Sequence, residues 1–321
     1  MNASDIHNVP EINILIPLYN EQDTFPELES RLVKILSKIK FPVTVIMVDD
    51  GSTDGTPFMM EDLSLRDSRF NSVFLSRNFG HQLALTAGFS VADASHAVFV
   101  IDGDLQDPPE LLDEFYGYFK DGYDVVYAIR KNRKESIIRV FSYNLFYRIL
   151  KKISYVKIPL DSGDFSLISR RVVDRLSEMK EESRFIRGMR TWVGFKQIGV
   201  PYDRGERNFG TSKYSFFKLL KLALNGIFNF SEIPIKFITI LGFTTILISL
   251  TYLIYTLLNL IIFNQVPQGF TGLIVTITLF GGVQLLSIGI LGEYILRIFF
   301  QVKNRPLFII KQQIFNGKKV L

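Results

Sequence analysis

The sequence predicts an α/β fold built on a mostly parallel sheet, followed by a pair of membrane-spanning helices near the C-terminus. Three observations carry this prediction. Short apolar, β-branched runs alternate with helical patterns through the first two thirds of the chain, the signature of a parallel sheet covered on both faces. From Phe237 to Gly292 there is no Asp, Glu, Lys, Arg or His across 56 residues. One crossing takes about 20 apolar residues, so this run holds two crossings and a turn. Finally, several predicted strands end in acidic or basic residues, and in such sheets ligands sit outside the carboxyl ends of strands.

Ile12 to Leu18 reads as the first strand, followed by Tyr19-Asn20-Glu21 in a loop. Thr24 or Asp23 can cap a helix from Phe25 to about Ile39, whose apolar positions Leu28, Leu32, Ile35 and Ile39 fall at helical spacing. Val43 to Val48 is the second strand and runs into Asp49-Asp50-Gly51-Ser52. Taken singly, that stretch is explained as well by a plain turn, because these are turn-forming residues. Val73 to Leu75 is the third strand, leading into Ser76-Arg77-Asn78-Phe79-Gly80 and a helix to about Val91.

The fourth strand, Ala97 to Ile101, ends in Asp102-Gly103-Asp104-Leu105-Gln106-Asp107-Pro108-Pro109. Two carboxylates at i and i+2, then a glutamine, give an oxygen-only donor set suited to Mg²⁺ or Mn²⁺, which keeps waters and takes one or two carboxylates plus substrate phosphates. A polar strand-to-helix turn with Asp107 as its cap is the simpler alternative for this stretch alone. The rule of strand ends gathers Tyr19, Glu21, Asp49, Asp50, Arg77, Asp102 and Asp104 on one rim, an arrangement suited to a nucleoside diphosphate bridged by a metal.

Asp124 to Ala128 is a fifth strand. Arg130 to Lys152 carries eight Lys or Arg against one Glu, with Ile138, Phe141, Leu145 and Ile149 at helical spacing. It is either a solvated or core-packed face, or one that meets anionic headgroups. Asp161-Ser162-Gly163-Asp164 precedes a strand from Phe165 to Ile168 and a helix. Glu181 to Val193 reads as a further helix with Trp192 as a packing anchor. Between Tyr214 and Phe230, Lys218, Lys221, Asn225 and Asn229 form one narrow polar stripe, so that helix lies flat in a membrane interface.

The crossings run from 237 to 263 and from 270 to 291. Lys236 lies before them, and Arg297, Lys303, Arg305 and Lys311 after them, which places both ends in the cytoplasm. Glu293 and Arg297 read as an interfacial i,i+4 pair. Gly281, Gly282, Gly289 and Gly292 allow close helix approach, within the hairpin or between copies.

Hydrophobic residues make up 47% of the 321, with 29 Phe, too apolar for an ordinary soluble enzyme. Cysteine is absent, which excludes disulfides and thiolate chemistry. The three histidines show no metal-ligand spacing. No basic segment precedes the first apolar run, so no signal peptide is expected. The net charge of +5 comes without any nucleic-acid recognition signature and is assigned to anionic lipid.

Pro17-Leu-Tyr19-Asn20-Glu21, Val48-Asp-Asp-Gly-Ser52, Ser76-Arg-Asn-Phe-Gly-His81, Asp102-Gly-Asp104-Leu-Gln106-Asp-Pro-Pro109 and Asp161-Ser-Gly-Asp-Phe165 together resemble the inverting glycosyltransferases of family 2. More narrowly, they resemble the polyprenyl-phosphate glycosyltransferases of the GtrB type, relatives of dolichyl-phosphate mannose synthase. The two-span hairpin and Trp192-Val-Gly-Phe195 extend the likeness over nearly the whole chain.

The resemblance implies a GT-A domain at 1–206, an active-site loop and interfacial helix at 207–234, a transmembrane hairpin at 235–300 and a cytoplasmic tail at 301–321. It implies transfer of a monosaccharide, with glucose the first choice, from a UDP-sugar to undecaprenyl or another polyprenyl phosphate at the bacterial inner membrane. GlcNAc, galactose, aminoarabinose, or mannose from GDP-mannose are alternative donors, and a non-catalytic lipid-binding or translocating protein is the competing class. Pro17, Tyr19, Glu21, Asp49 and Asp50 resemble the base and ribose pocket, with Asp102 near ribose and metal, and Asp104 and Gln106 as direct ligands of Mg²⁺ or Mn²⁺. Arg77, Arg207 and Lys213 match phosphate-binding cations. Asp164 matches the proposed catalytic base, with Asp161 a second candidate. A homo-oligomer, specifically a tetramer, is also implied. Because a phosphate monoester has its second pKa near ~6, the acceptor is already largely ionised, and Asp164 is expected to orient rather than to abstract a proton.

Overall fold

The computed structural model describes residues 9–131, 162–182, 184–203, 233–263 and 269–320. These fall into two compact units, residues 233–304 forming one and the remaining described residues the other.

In the larger unit β1 (Ile12–Leu18), β2 (Val43–Asp49), β3 (Phe70–Leu75) and β4 (Ala97–Val100) run parallel, in the order β4-β1-β2-β3. Every residue of β1, β3 and β4 is buried, as expected of strands in a sheet covered on both faces, with Asn71 and Ser72 the polar members of β3. The polar exception in β1 is Asn13. Its amide donates to Thr44 Oγ1 at 2.8 Å and Asp93 Oδ1 at 2.9 Å, and its oxygen accepts the N–H groups of Asp93 and Ala94, so its capacity is filled. One face carries α1 (Phe25–Leu36), α2 (Thr56–Arg66) and α4 (Leu112–Lys120), through Phe25, Met60 and Phe115. The other carries α3 (His81–Val91), α5 (Arg170–Glu178) and α6 (Ile186–Trp192), through Leu85, Leu176 and Met189.

Beyond β4 the sheet continues as β6 (Ser162–Ser169), β5 (Val125–Lys131) and β7 (Gln197–Asp203), with β6 antiparallel to both of its neighbours, β4 and β5. Beyond β3 come β8 (Ile310–Phe315) and the short β9 (Lys318–Lys319). The α/β, mostly parallel sheet expected from the sequence is therefore present. The segment beyond the apolar run, expected as a tail, supplies an antiparallel edge instead.

Some local expectations are corrected. The third strand starts at Phe70, and α2 has no counterpart among the expected elements. Thr24 sits at the N-cap of α1, but its hydroxyl turns back to Glu21, and the chain before α4 has no side-chain cap. Asp107 instead accepts the Tyr202 hydroxyl at 2.7 Å. Trp192 is 59% exposed, whereas Arg190 is the buried large side chain of α6. The second unit contains α7 (Ile233–Phe263) and α8 (Phe270–Lys303), both long and apolar enough to cross a membrane. α8 runs well past the expected 291. Arg297 donates to Glu293 Oε1 from Nη2 at 2.8 Å, as the i,i+4 spacing predicts. A Cβ added at Gly281, Gly282, Gly289 or Gly292 would meet nothing within 4 Å, so these glycines do not serve close packing inside the pair. The basic segment from 132, the stretch 204–232 and the turn at 264–268 lie outside the described residues.

The tip of β2 has one backbone requirement with a measurable consequence. Gly51 has φ +68°, and a Cβ there would lie 2.4 Å from the Arg77 carbonyl carbon and 2.5 Å from the Asn78 nitrogen. Neither is the movable end of a side chain. Gly51→Ala is expected to destabilise the protein by about 3 kcal/mol through strain and overpacking together, read as a lowered thermal midpoint.

Candidate functional site

Because β1 to β4 are parallel, their carboxyl ends share one edge, and the antiparallel β6 brings its beginning to that same edge. The pairing of Val100 with Ser166 sets Asp164 level with Asp102. The structure thus brings Tyr19 and Glu21, Asp49 and Asp50, Arg77, Asp102 and Asp164 to one rim. Pro17 is buried near the end of β1, with Tyr19 exposed beyond it.

The turns at this rim brace one another. Asn20 receives Thr53 N–H on its Oδ1 at 2.8 Å and gives its own N–H to Ser52 Oγ at 2.9 Å. Glu21 N–H reaches Thr56 Oγ1 at 2.9 Å. Asp49 accepts the Ser52 N–H at 3.1 Å. Asp50 accepts the N–H groups of Phe79 at 2.7 Å and Gly80 at 2.9 Å, fixing the start of α3. Burial raises both acids above the ordinary carboxylate range, against these hydrogen bonds. Arg77 is exposed, with its guanidinium 4.0 Å from the Phe79 ring centroid.

The loop after β4 is held at several points. Gly103 fits against the end of β1, where a Cβ would come 2.4 Å from Leu18 Cδ2. Leu105 adopts φ 61°, a left-handed turn uncommon outside glycine, and Gln106 N–H donates to Asp104 Oδ1 at 3.2 Å. The ring of Phe165 lies 5.3 Å from that of Tyr202, whose hydroxyl holds Asp107. Arg31 closes the far side through Glu110 at 2.7 Å. Among the described residues, no three His, Cys, Asp or Glu side chains converge as a metal cage. The local donors Asp102, Asp104 and Gln106 offer oxygens only, which fits a hard divalent ion completed by water and phosphate.

Beside this loop lies a compact charge cluster around Asp164. The Asp164 side chain is 3% exposed. It receives Arg187 Nε at 3.0 Å and Nη2 at 3.1 Å, Gln82 Nε2 at 3.0 Å and His81 Nε2 at 3.3 Å. Burial alone would raise this carboxyl, but the Arg187 charge and the His81 contact outweigh it and hold it well below the usual range. Burial would likewise lower His81, but its hydrogen bond to Asp164 and the charge of Asp102, 3.7 Å away, lift it to about 9. Gln82 also accepts the Ile186 N–H at 2.8 Å, tying the beginning of α6 to the same point.

Arg130, near the end of β5, places Nη2 3.6 Å from where a Gly163 Cβ would sit. Arg130, Gln82 and Arg187 are thus rim residues that sequence reasoning did not single out, and His81, which closes the Ser76–His81 motif, has no role assigned there. The available signal was two arginines at i and i+3 on the otherwise apolar inner face of α6. Asp161, Arg207 and Lys213 lie outside the described residues.

A carboxylate held by this many donors is a poor proton acceptor and a firm anchor. The rim as a whole offers oxygens for a cation on one side and cations for an anion on the other. That division suits transfer from a nucleoside diphosphate.

Comparison with known proteins agrees with that chemistry. Residues 13–177 match the model of "Glycosyl transferase family 2". An "Uncharacterized glycosyltransferase" of Synechocystis is 40% identical over 94% of each chain. YkcC of Bacillus subtilis, also an "Uncharacterized glycosyltransferase", is 40% identical over 94% of each chain. The "SfII prophage-derived bactoprenol glucosyl transferase" of Shigella flexneri is 36% identical, over 94% of this chain and 98% of its own. The strand-tip acids, the family match and these full-length similarities lead to one conclusion: the chain belongs to glycosyltransferase family 2 and is a transferase enzyme.

Proposed function

We propose that this enzyme transfers glucose from UDP-glucose to the phosphate of a polyprenyl carrier, with inversion, at the cytoplasmic face of a bacterial membrane. The observation that carries the reading is the juxtaposition, on one sheet edge, of the oxygen-only loop Asp102–Gln106 with the cationic cluster around Asp164. Two apolar helices in the same chain supply the membrane. The similarity to a bactoprenol glucosyl transferase over nearly the full length supports the choice of glucose and of a polyprenyl acceptor.

In this reading Pro17, Tyr19, Glu21, Asp49 and Asp50 form the nucleoside pocket, and Arg77 faces the diphosphate. Asp102, Asp104 and Gln106 would hold Mg²⁺ or Mn²⁺, which when bound neutralises charge on the departing nucleoside diphosphate. Arg130 and Arg187 present guanidinium groups to the acceptor phosphate, and Arg207 and Lys213 add to them. Asp164 fixes Arg187 and His81 rather than taking a proton, because the phosphate nucleophile already carries its charge at neutral pH.

The topology favours a hairpin. The chain leaves the larger unit before α7 and re-enters it as β8, so an even number of crossings returns it to the side it left. The Lys and Arg that flank the helices favour the cytoplasm as that side.

The test is incorporation of label from UDP-glucose into butanol-extractable lipid by purified full-length protein with undecaprenyl phosphate. Product that EDTA abolishes and Mg²⁺ or Mn²⁺ restores is expected. Product insensitive to the chelator defeats the metal assignment, and no product from any of UDP-glucose, UDP-GlcNAc, UDP-galactose or GDP-mannose defeats the transfer reading.

A further inference from the structure

α6 carries Arg187 and Arg190 at i and i+3, one turn apart on the same side of the helix. Their environments differ sharply. Arg187 gives Asp164 two hydrogen bonds and keeps part of its side chain exposed. Arg190 is 1% exposed, and none of its three side-chain nitrogens has a hydrogen-bond partner among the described residues. Near it lie the Tyr127 ring, whose centroid is 5.3 Å from the guanidinium carbon, the attracting charge of Asp164 and the repelling charge of Arg187. Burial lowers Arg190 to about 10, which leaves it charged near neutral pH.

A buried guanidinium with every donor unused is costly, and an apolar residue of similar volume would serve stability better. Stabilising changes are often costly to function, so a costly buried group is a candidate for a functional role. The partly exposed member of the pair is Arg187. It lies at the mouth of the cluster, and guanidinium binds phosphate oxygens in a two-point geometry. If phosphate draws Arg187 outward, buried Asp164 loses its closest cation. Arg190, one turn along the same helix, has all its donors available to replace it.

We propose that Arg190 is a positioning residue that takes over the Asp164 carboxylate when the phosphate oxygens of a substrate engage Arg187. The inference rests on the transfer reading only for the identity of that phosphate, since a polyprenyl phosphate and a nucleoside diphosphate present the same oxygens.

A double-mutant cycle in the full-length protein in detergent micelles tests it. Arg190→Met alone is expected to raise the thermal midpoint by about 3 °C, because it removes an unpartnered buried charge. In the Arg187→Met background the same substitution is expected to lower the midpoint, because Arg190 is then the guanidinium serving Asp164. Arg190→Met should also lower kcat/KM for lipid-linked product by at least about tenfold. A rise in KM confined to undecaprenyl phosphate identifies the acceptor as the source of the oxygens, and one confined to UDP-glucose identifies the donor.

A lowered midpoint for Arg190→Met in both backgrounds, or additive effects, means a structural role and overturns the proposal. So does an unchanged kcat/KM in a protein that does make product. Should Arg190→Met not fold, Arg190→Gln runs the same cycle. Should wild type make no lipid-linked product, the transfer reading fails, while the reversal of sign in thermal midpoint still decides the exchange of arginines.

Discussion

Asp164→Asn is expected to cut lipid-linked product formation about a thousandfold, the scale of losing a group that organises the reacting centre. The cause lies in what the carboxylate holds. An amide at this position could still accept a hydrogen bond, but Arg187 and His81 would lose the negative charge that fixes them. Breaking a buried pair of this kind costs about 3 kcal/mol, so the variant should also melt earlier than wild type. The pH profile separates two roles. Because Asp164 is held well below the usual carboxylate range, it stays ionised across the working range and should add no inflection of its own. Activity of wild type should rise through pH ~6 with ionisation of the acceptor phosphate, and the variant should show the same rise at reduced height. Activity in Asp164→Asn that recovers toward wild type as pH is raised would speak for proton abstraction and against orientation.

The second large effect is expected at the loop after β4. With Asp104 as the proposed ligand of a divalent ion, Asp104→Ala should lower kcat by about a thousandfold, because several kcal/mol of charge stabilisation on the leaving group would go with the ion. The loop itself should survive. Its outer end is held by hydrogen bonds that do not involve the Asp104 side chain, Tyr202 on Asp107 and Arg31 on Glu110. A thermal-shift titration provides the control. Mn²⁺ with UDP should raise the midpoint of wild type and not that of Asp104→Ala, as ligand linkage requires. Equal shifts in both proteins would remove Asp104 from the ligand set.

The frame of the larger unit is legible because its central strands are buried on both faces and write themselves as continuous apolar runs. Ile12 to Leu18 coincides with β1, and the acids that follow β2 and β4 lie at the edge where parallel strands end. α2 is hidden because Thr56 to Arg66 has a weak apolar stripe and follows a loop rich in turn-forming residues. β8 is hidden because it is half exposed and pairs with β3 hundreds of residues away, although Asn316-Gly317, the turn into β9, is a hairpin signal in the sequence. The same separation conceals the charge cluster. His81 meets Asp164 across 83 positions and Arg187 meets it across 23, and neither spacing has a local signature. Trp192 misleads for the opposite reason. A lone tryptophan on a short helix invites a core assignment, yet the helix turns Ile186, Met189 and Arg190 inward and leaves the indole outside.

The antiparallel edge strand has a consequence for how the enzyme is made. Asn316 N–H bonds to Asn71 Oδ1 at 3.0 Å, a contact spanning 245 positions, and Ile314 is fully buried. During translation β3 therefore waits with an open flank until α7, α8 and the residues that follow them have left the ribosome. Pairings this distant form late and slowly, and an open strand flank is a known invitation to aggregate. The larger unit is therefore completed only at the last stage of synthesis, after both long apolar helices have been made.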